Sequence, residues 1–175
     1  KGFQKPLYVF VPRAPEVFDD TFKKIEDAGL SVVRRSESFS EDLKPNTSVD
    51  WNNIDVLLGD SFGEMYFYLK LCDHVVAGGG FWHTGAHNII EQLQLHKPVT
   101  VGPEIWTIKF PALQAEEAGL LKIVKDPAEL KSNLCLFLEN NISNKISRDA
   151  FEGFLEVYAG ASNKALTMLE SEGLI

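Results

Sequence analysis

The densest chemistry in this chain lies between Gly78 and Glu91, in the run Gly78-Gly79-Gly80-Phe81-Trp82-His83-Thr84-Gly85-Ala86-His87-Asn88-Ile89-Ile90-Glu91. It follows Val75-Val76-Ala77, an apolar run that reads as a buried strand. It leads into Ile89, Ile90, Leu93 and Leu95, which read as a helix closed by Lys97-Pro98. Strand, glycine turn and helix together bring backbone N–H groups to an anionic ligand. Glu91 is expected about one turn inside the helix, where its carboxylate can accept two hydrogen bonds from a vicinal diol such as a ribose. Flanking Ile89, Ile90 and Leu93 predict that Glu91 is largely buried, and a buried carboxylate needs partners. His87, Asn88 and Glu91 share one face by their spacing, although His87 and Asn88 also suit a polar first turn as capping groups. Phosphate at the tip and sugar beside the first turn point to a nucleotide.

Two further strand ends carry candidates. Pro12-Arg13 follows Leu7-Tyr8-Val9-Phe10-Val11, and a guanidinium there can grip a phosphate or carboxylate in bidentate fashion. A solvated or ion-paired loop arginine is the plainer alternative. Gly59-Asp60-Ser61-Phe62-Gly63-Glu64 forms a second glycine turn ahead of a helix. Here Ser61-x-x-Glu64 reads foremost as a capping box, with the amides of Phe62 and Gly63 available to a ligand under either reading.

Other chemistries fit poorly. His74, His83, His87, His96 and Cys72 match no paired-ligand spacing, so no metal is expected. There is no GxSxG elbow, no GxGxxG and no cysteine at a glycine turn, which counts against a nucleophilic enzyme and a dinucleotide-binding domain. Trp51, Trp82 and Trp106 read as packing or loop anchors, with Trp82 alone placed near a ligand.

The elements that must position these residues alternate. Strands are predicted at 7–11, 31–35, 55–59, 75–77, 98–102 and 121–124, with helices after most of them and a helical remainder from Asp126 that breaks near 140–147 and at Gly160. Such alternation predicts an α/β fold, a Rossmann-like three-layer arrangement around a parallel sheet, with ligands beyond the carboxyl ends of the strands. Residues 36–53 form the one long loop. At 175 residues the chain reads as a single domain, 1–175. A net charge of −8 counts against broad nucleic-acid binding. Two isolated cysteines suit a reducing, cytoplasmic setting, and no apolar run approaches the roughly 18 residues of a membrane span. No signal-peptide pattern is present. The chain opens at Lys1 and enters its first strand almost at once, as expected of a piece cut from a longer protein.

Three segments, in this order, resemble the donor-binding half of the 3-deoxy-D-manno-octulosonate (Kdo) transferases of lipopolysaccharide synthesis. Val11-Pro12-Arg13-Ala14-Pro15-Glu16-Val17-Phe18 is similar to that family's VPRHPERF, and Leu57 through Met65 to its LLGDTMGEL. Gly79 through Glu91, continuing to Pro98, Gly102-Pro103 and Phe110, resembles its glycine-rich third stretch, and Tyr158 through Leu166 its terminal element. The chain departs from the family at Ala14, Phe62, Ala86, Ile89 and Gln92, and again over Ile105 to Lys109.

The resemblance implies the carboxyl-terminal half of a two-domain glycosyltransferase of the GT-B type. That half holds the sugar nucleotide CMP-Kdo; the absent amino-terminal domain would hold the lipid A precursor, the membrane contact and the glutamate base. No catalytic residue and no cofactor are therefore expected here. Pro12, Arg13, Ser61, Phe62, Gly63 and Glu64 are expected around the nucleotide, and Gly79, Gly80, Gly85, His87, Asn88 and Glu91 along its phosphate and ribose. Transfer with inversion at the cytoplasmic face of the bacterial inner membrane is the family expectation. The readings that compete are the donor half of a UDP-sugar GT-B enzyme and a nucleotide-binding module without chemistry.

Overall fold

The structure, a computed structural model, describes residues 5–140 and 146–174. The chain divides into two compact units, Lys1–Cys72 and Asp73–Ile175, each built on its own three-stranded parallel sheet. The α/β class read from the sequence is present; the strands are shared between two sheets rather than gathered in one.

In the first unit β1 (Tyr8–Phe10) and β2 (Val32–Arg34) flank β3 (Val56–Leu58), in register Tyr8↔Val56 and Val32↔Val56. Central β3 is buried along its length, as a strand covered on both faces requires. Helix α1 (Phe18–Asp27) joins β1 to β2, and α3 (Met65–Leu71) follows β3. The apolar run Leu7 to Val11 reads in sequence as a buried strand, but the structure places it at a sheet edge. β1 is an edge strand whose Tyr8 and Phe10 are 51% and 54% exposed, because a three-residue apolar run does not disclose its place in the sheet order. The long loop is partly ordered: it holds the short helix α2 (Arg35–Ser38), and Trp51 packs on Phe39 with ring centroids 5.3 Å apart, the anchoring role its type suggests. Asp55 ties the start of β3 to its neighbours. Its carboxylate accepts from Lys5 at 2.7 Å and from the Ser31 hydroxyl and amide, and Lys5 foremost holds its pKa down at about 2.

In the second unit β5 (Val99–Val101) lies between β4 (Val75–Ala77) and β6 (Leu121–Ile123), in register Val75↔Val99 and Val99↔Leu121. Helices α4 (Ile90–Gln94), α5 (Lys109–Glu117), α6 (Pro127–Asn140), α7 (Arg148–Tyr158) and α8 (Ala161–Ser171) follow. The core joins Val99 and Val101 of β5 to Ile89 and Leu93 around α4, Ala112 and Ala115 of α5, and Phe151 of α7, all nearly inaccessible. Strand β4 is less buried than its composition suggests, since Val76 is 42% exposed on an edge strand. The predicted break at Gly160 is a left-handed residue ahead of α8. Of the break predicted near 140–147, residues 141–145 lie outside the described residues. Cys72 and Cys135 form no disulfide. No helix among the described residues is long and apolar enough to cross a membrane.

Candidate functional site

The candidates fall into two groups, one at the carboxyl ends of the strands in each unit. In the first unit, parallel pairing of β1 with β3 sets Pro12-Arg13 beside the turn that begins at Gly59, whose amide donates to the Phe10 carbonyl at 2.8 Å. A methyl on Gly59 would stand 2.8 Å from the Tyr68 ring and 3.0 Å from Val11, so only glycine lets that ring cross the turn. Phe62, 67% exposed, leans on Phe18 at 6.2 Å between centroids, which ties the turn to the segment carrying Arg13. Arg13 is exposed, with no hydrogen bond or ion pair among the described residues, so its guanidinium is available to an anion.

Ser61 and Glu64 are placed differently from the expected capping box. Helix α3 starts at Met65, three residues later than the sequence predicts, and its N-cap has no side-chain hydrogen bond. The Ser61 hydroxyl donates instead to the Glu64 carboxylate, and the Tyr68 hydroxyl, 2.5 Å away, donates to Ser61 Oγ. Arg35, the first residue of α2 directly after β2, completes the set, with Nη2 donating to Glu64 Oε1 at 2.5 Å. Burial raises the Tyr68 pKa. The side chains of Ser61 and Glu64 thus hold the turn, leaving the backbone of Ser61 to Gly63 as the part that can face a ligand. Arg35 and Tyr68 were missed from sequence. Two consecutive arginines closing a β-branched strand were the available signal for the first; nothing local marked the second.

In the second unit the run from Gly78 to Asn88 folds back on itself and onto the loop after β5. The His87 amide donates to the Gly78 carbonyl, and the Trp82 and Gly85 amides close turns on Gly79 and Trp82. The Ala86 amide donates to Glu104, whose own amide donates to Gly80, and the Thr107 hydroxyl donates to the Ala86 carbonyl at 2.5 Å. A methyl on Gly80 would meet the Gly102 nitrogen at 2.6 Å, and one on Gly79 would meet the Gly85 carbonyl oxygen at 2.2 Å. These glycines therefore have a packing reason: two backbone segments cross where no side chain fits. Gly80 and Gly85 are buried by that crossing, Gly79 is half-buried, and His87 and Asn88 are exposed on the same loop.

The helix behind this loop is shorter than expected. α4 has five residues, and Glu91 is its second rather than a residue one turn in. Half-buried Glu91 has no side-chain hydrogen bond or ion pair among the described residues. Asn88 precedes the N-cap residue Ile89, and its Oδ1 accepts from the Ile90 amide at 3.1 Å, so it satisfies the first amide of the helix from just outside it, close to the capping alternative. With the amides of Trp82, Gly85, Ala86, His87 and Ile90 committed internally, the loop offers a rigid frame more than a row of bare N–H groups. Trp82 and Trp106 are 70% and 62% exposed, and Trp106 stands over Gly85, so Trp106 joins Trp82 beside the loop although its sequence gave no such sign. Among the described residues no group of three or more His, Cys, Asp or Glu side chains is arranged to hold a metal.

No protein-family model matches the chain. It is 32% identical over 166 residues to the 3-deoxy-D-manno-octulosonic acid transferase of Bordetella pertussis, a match covering 95% of this chain and 37% of that protein. The enzyme of the same name from Haemophilus influenzae is 28% identical over 167 residues, covering 94% of this chain and 36% of the relative. The chain thus spans little more than a third of the length of these curated relatives. Among solved structures it is similar to the C-terminal CMP-Kdo binding domain of WaaA from Acinetobacter baumannii. That likeness has a TM-score of 0.69 and 25% identity, covering 84% of this chain and 72% of the other.

Proposed function

From a chain related along 95% of its length to 3-deoxy-D-manno-octulosonic acid transferases, we infer the donor-binding domain of a glycosyltransferase, holding CMP-Kdo while the sugar passes to a lipid A precursor. The observation that carries this reading is the structural likeness to a CMP-Kdo binding domain over 84% of the chain. The relatives' names and that likeness favour it over a UDP-sugar enzyme. The acceptor, the general base, the inner-membrane contact and inversion at the anomeric carbon belong in this proposal to the protein of which the chain would be the donor half, with the chain inactive alone.

In the transfer, the bond from the anomeric carbon to the phosphate oxygen breaks and its electron pair leaves with CMP, while the acceptor hydroxyl adds and loses its proton to a base. Charge builds on one phosphate, so one well-placed cation without competing partners is effective help. Arg13 has that character. The helix-dipole contribution to the phosphate at the amino end of α4 is small, because α4 is only five residues long. The donor contacts proposed are Pro12, Arg13 and the Ser61–Gly63 backbone, with Glu64 as support, in the first unit. In the second they are Gly79, Gly80, Gly85, His87, Asn88 and Glu91.

An amide NMR titration with CMP, run beside UDP and AMP, tests each group separately. CMP is expected to shift Arg13, Phe62–Gly63 and Gly85–Glu91, with weaker responses to UDP and AMP. An equal response to UDP would move the reading to another sugar donor, and silence toward every nucleotide at millimolar concentration would sink it. Arg13→Ala is expected to weaken CMP about tenfold, the loss of one charge-assisted hydrogen bond, and to leave cytidine unaffected. Equal weakening of CMP and cytidine would show that Arg13 does not read the phosphate.

A further inference from the structure

The turn from Asp60 to Glu64 is held from the side by the end of β2. Arg34 and Arg35 are consecutive, and each lies against one of the acids that bracket the turn. Arg34 Nη2 donates to Asp19 at 2.6 Å while its Nη1 stands 3.7 Å from Asp60, whose carboxylate is held by the Ser36 amide at 2.9 Å and hydroxyl at 2.6 Å. Arg35 Nη2 donates to Glu64 at 2.5 Å, and Glu64 accepts from Ser61, which accepts from Tyr68. Both acids are thus fixed by residues 24 to 29 positions earlier, while the middle of the turn is exposed at Phe62 and Gly63, the latter at φ +73°.

The Arg35–Glu64 pair is an inefficient way to gain stability. The Arg35 side chain is 9% exposed and its Nε is buried without a hydrogen-bond partner. Desolvating a guanidinium and a carboxylate cancels most of their attraction, and an apolar pair of similar volume often serves a fold as well. What the ion pair supplies that an apolar pair would not is direction, since a guanidinium fork and a carboxylate fix each other's orientation. Here the carboxylate it orients also sets the Ser61 hydroxyl.

We propose that Arg35 is a positioning residue: through Glu64, Ser61 and Tyr68 it sets the backbone of Ser61 to Gly63 in the shape that receives the donor nucleotide. The proposal rests on the donor-binding reading for its ligand, but the positioning itself can be tested without one. Two variants of the 175-residue chain separate positioning from folding. Arg35→Met combined with Glu64→Leu replaces the pair by apolar groups and is expected to keep the melting temperature close to the parent's. Arg35→Lys keeps a charge toward Glu64.

In the double variant, the amide order parameters of Ser61 to Glu64 are expected to fall from about 0.85 to about 0.6 or below while those of β3 are unchanged, because the turn loses its tether without global opening. CMP affinity is expected to fall about tenfold, with Arg35→Lys recovering part of both effects. Parent-like order parameters in a folded double variant would overturn the positioning role, as would a melting temperature that collapses while Arg35→Lys changes nothing. If the order parameters respond but the parent chain ignores CMP, the positioning of the turn stands and the nucleotide assignment fails.

Discussion

Replacing Gly79 by alanine is expected to destabilise the second unit by on the order of 3 kcal/mol or more and to erase the CMP response of Gly85 to Glu91. Two independent costs meet at this position. The backbone is at φ +81°, where an L side chain is strained, and the added methyl would stand 2.2 Å from the Gly85 carbonyl oxygen. That oxygen is backbone within a loop tied at Gly78, Gly80 and Ala86, so it cannot move aside as a flexible side chain would. Gly119→Ala supplies the control. Gly119 is at φ +73° in the same unit, but nothing lies within 4 Å of the methyl it would gain, so only the conformational cost of about 1 kcal/mol applies. Urea unfolding of the two variants separates clash from strain. Equal midpoints would mean that the Gly79–Gly85 crossing yields easily and that the loop is not the rigid frame its hydrogen bonds suggest.

The glycine loop was legible in sequence because its signal is compositional: an apolar strand, a cluster of glycines, then polar residues ahead of a buried helix. What those glycines do was not legible. Gly80 is glycine because Gly102 passes it, and Gly102 lies 22 positions later, just past the end of β5, whose adjacency to β4 follows only from the sheet order. The Ser61–Glu64 pair failed for a related reason. Spacing in sequence fits a capping box, but Arg35 and Tyr68 claim the same two side chains from outside the turn, and tertiary pairing outweighed the local option. Helix lengths suffered most where a helix is short. Ile89, Ile90 and Leu93 have helical spacing, yet Ile89 is the N-cap of a helix of only five residues, so Glu91 sits at its start. Strand β1 shows the limit from the other direction, since three residues are too few for any period to tell an edge from a centre.

Acid is expected to weaken the second unit through His74, a residue outside both candidate groups. Its Nε2 lies 2.8 Å from Thr100 Oγ1, and the Thr100 hydroxyl donates to Asn133 Oδ1, so His74 must be the donor to Thr100. The other ring nitrogen, Nδ1, is then an unprotonated acceptor, buried and without a partner, beneath the Phe137 ring at 4.3 Å between centroids. Lys122 is the cation lining the small cavity beside it. Adding a proton at Nδ1 would create a charge with no acceptor, and burial accordingly pushes the His74 pKa down from 6.5 to about 4. The unfolded chain takes up this proton near pH 6.5 and the folded chain only near pH 4. Between those values the unfolded state binds more protons, so stability is complete above the window and declines as pH falls through it. The full gap corresponds to about 3 kcal/mol at ~1.4 kcal/mol per pKa unit, of which about 2 kcal/mol is lost between pH 7.5 and pH 5. His74→Gln retains an N–H donor for Thr100 but cannot titrate, and its unfolding free energy should be flatter over that interval by about 2 kcal/mol. Urea midpoints at the two pH values measure the difference. Parallel declines in parent and variant would exclude His74 as the source, as would an imidazole resonance that titrates near 6.5 in the folded chain.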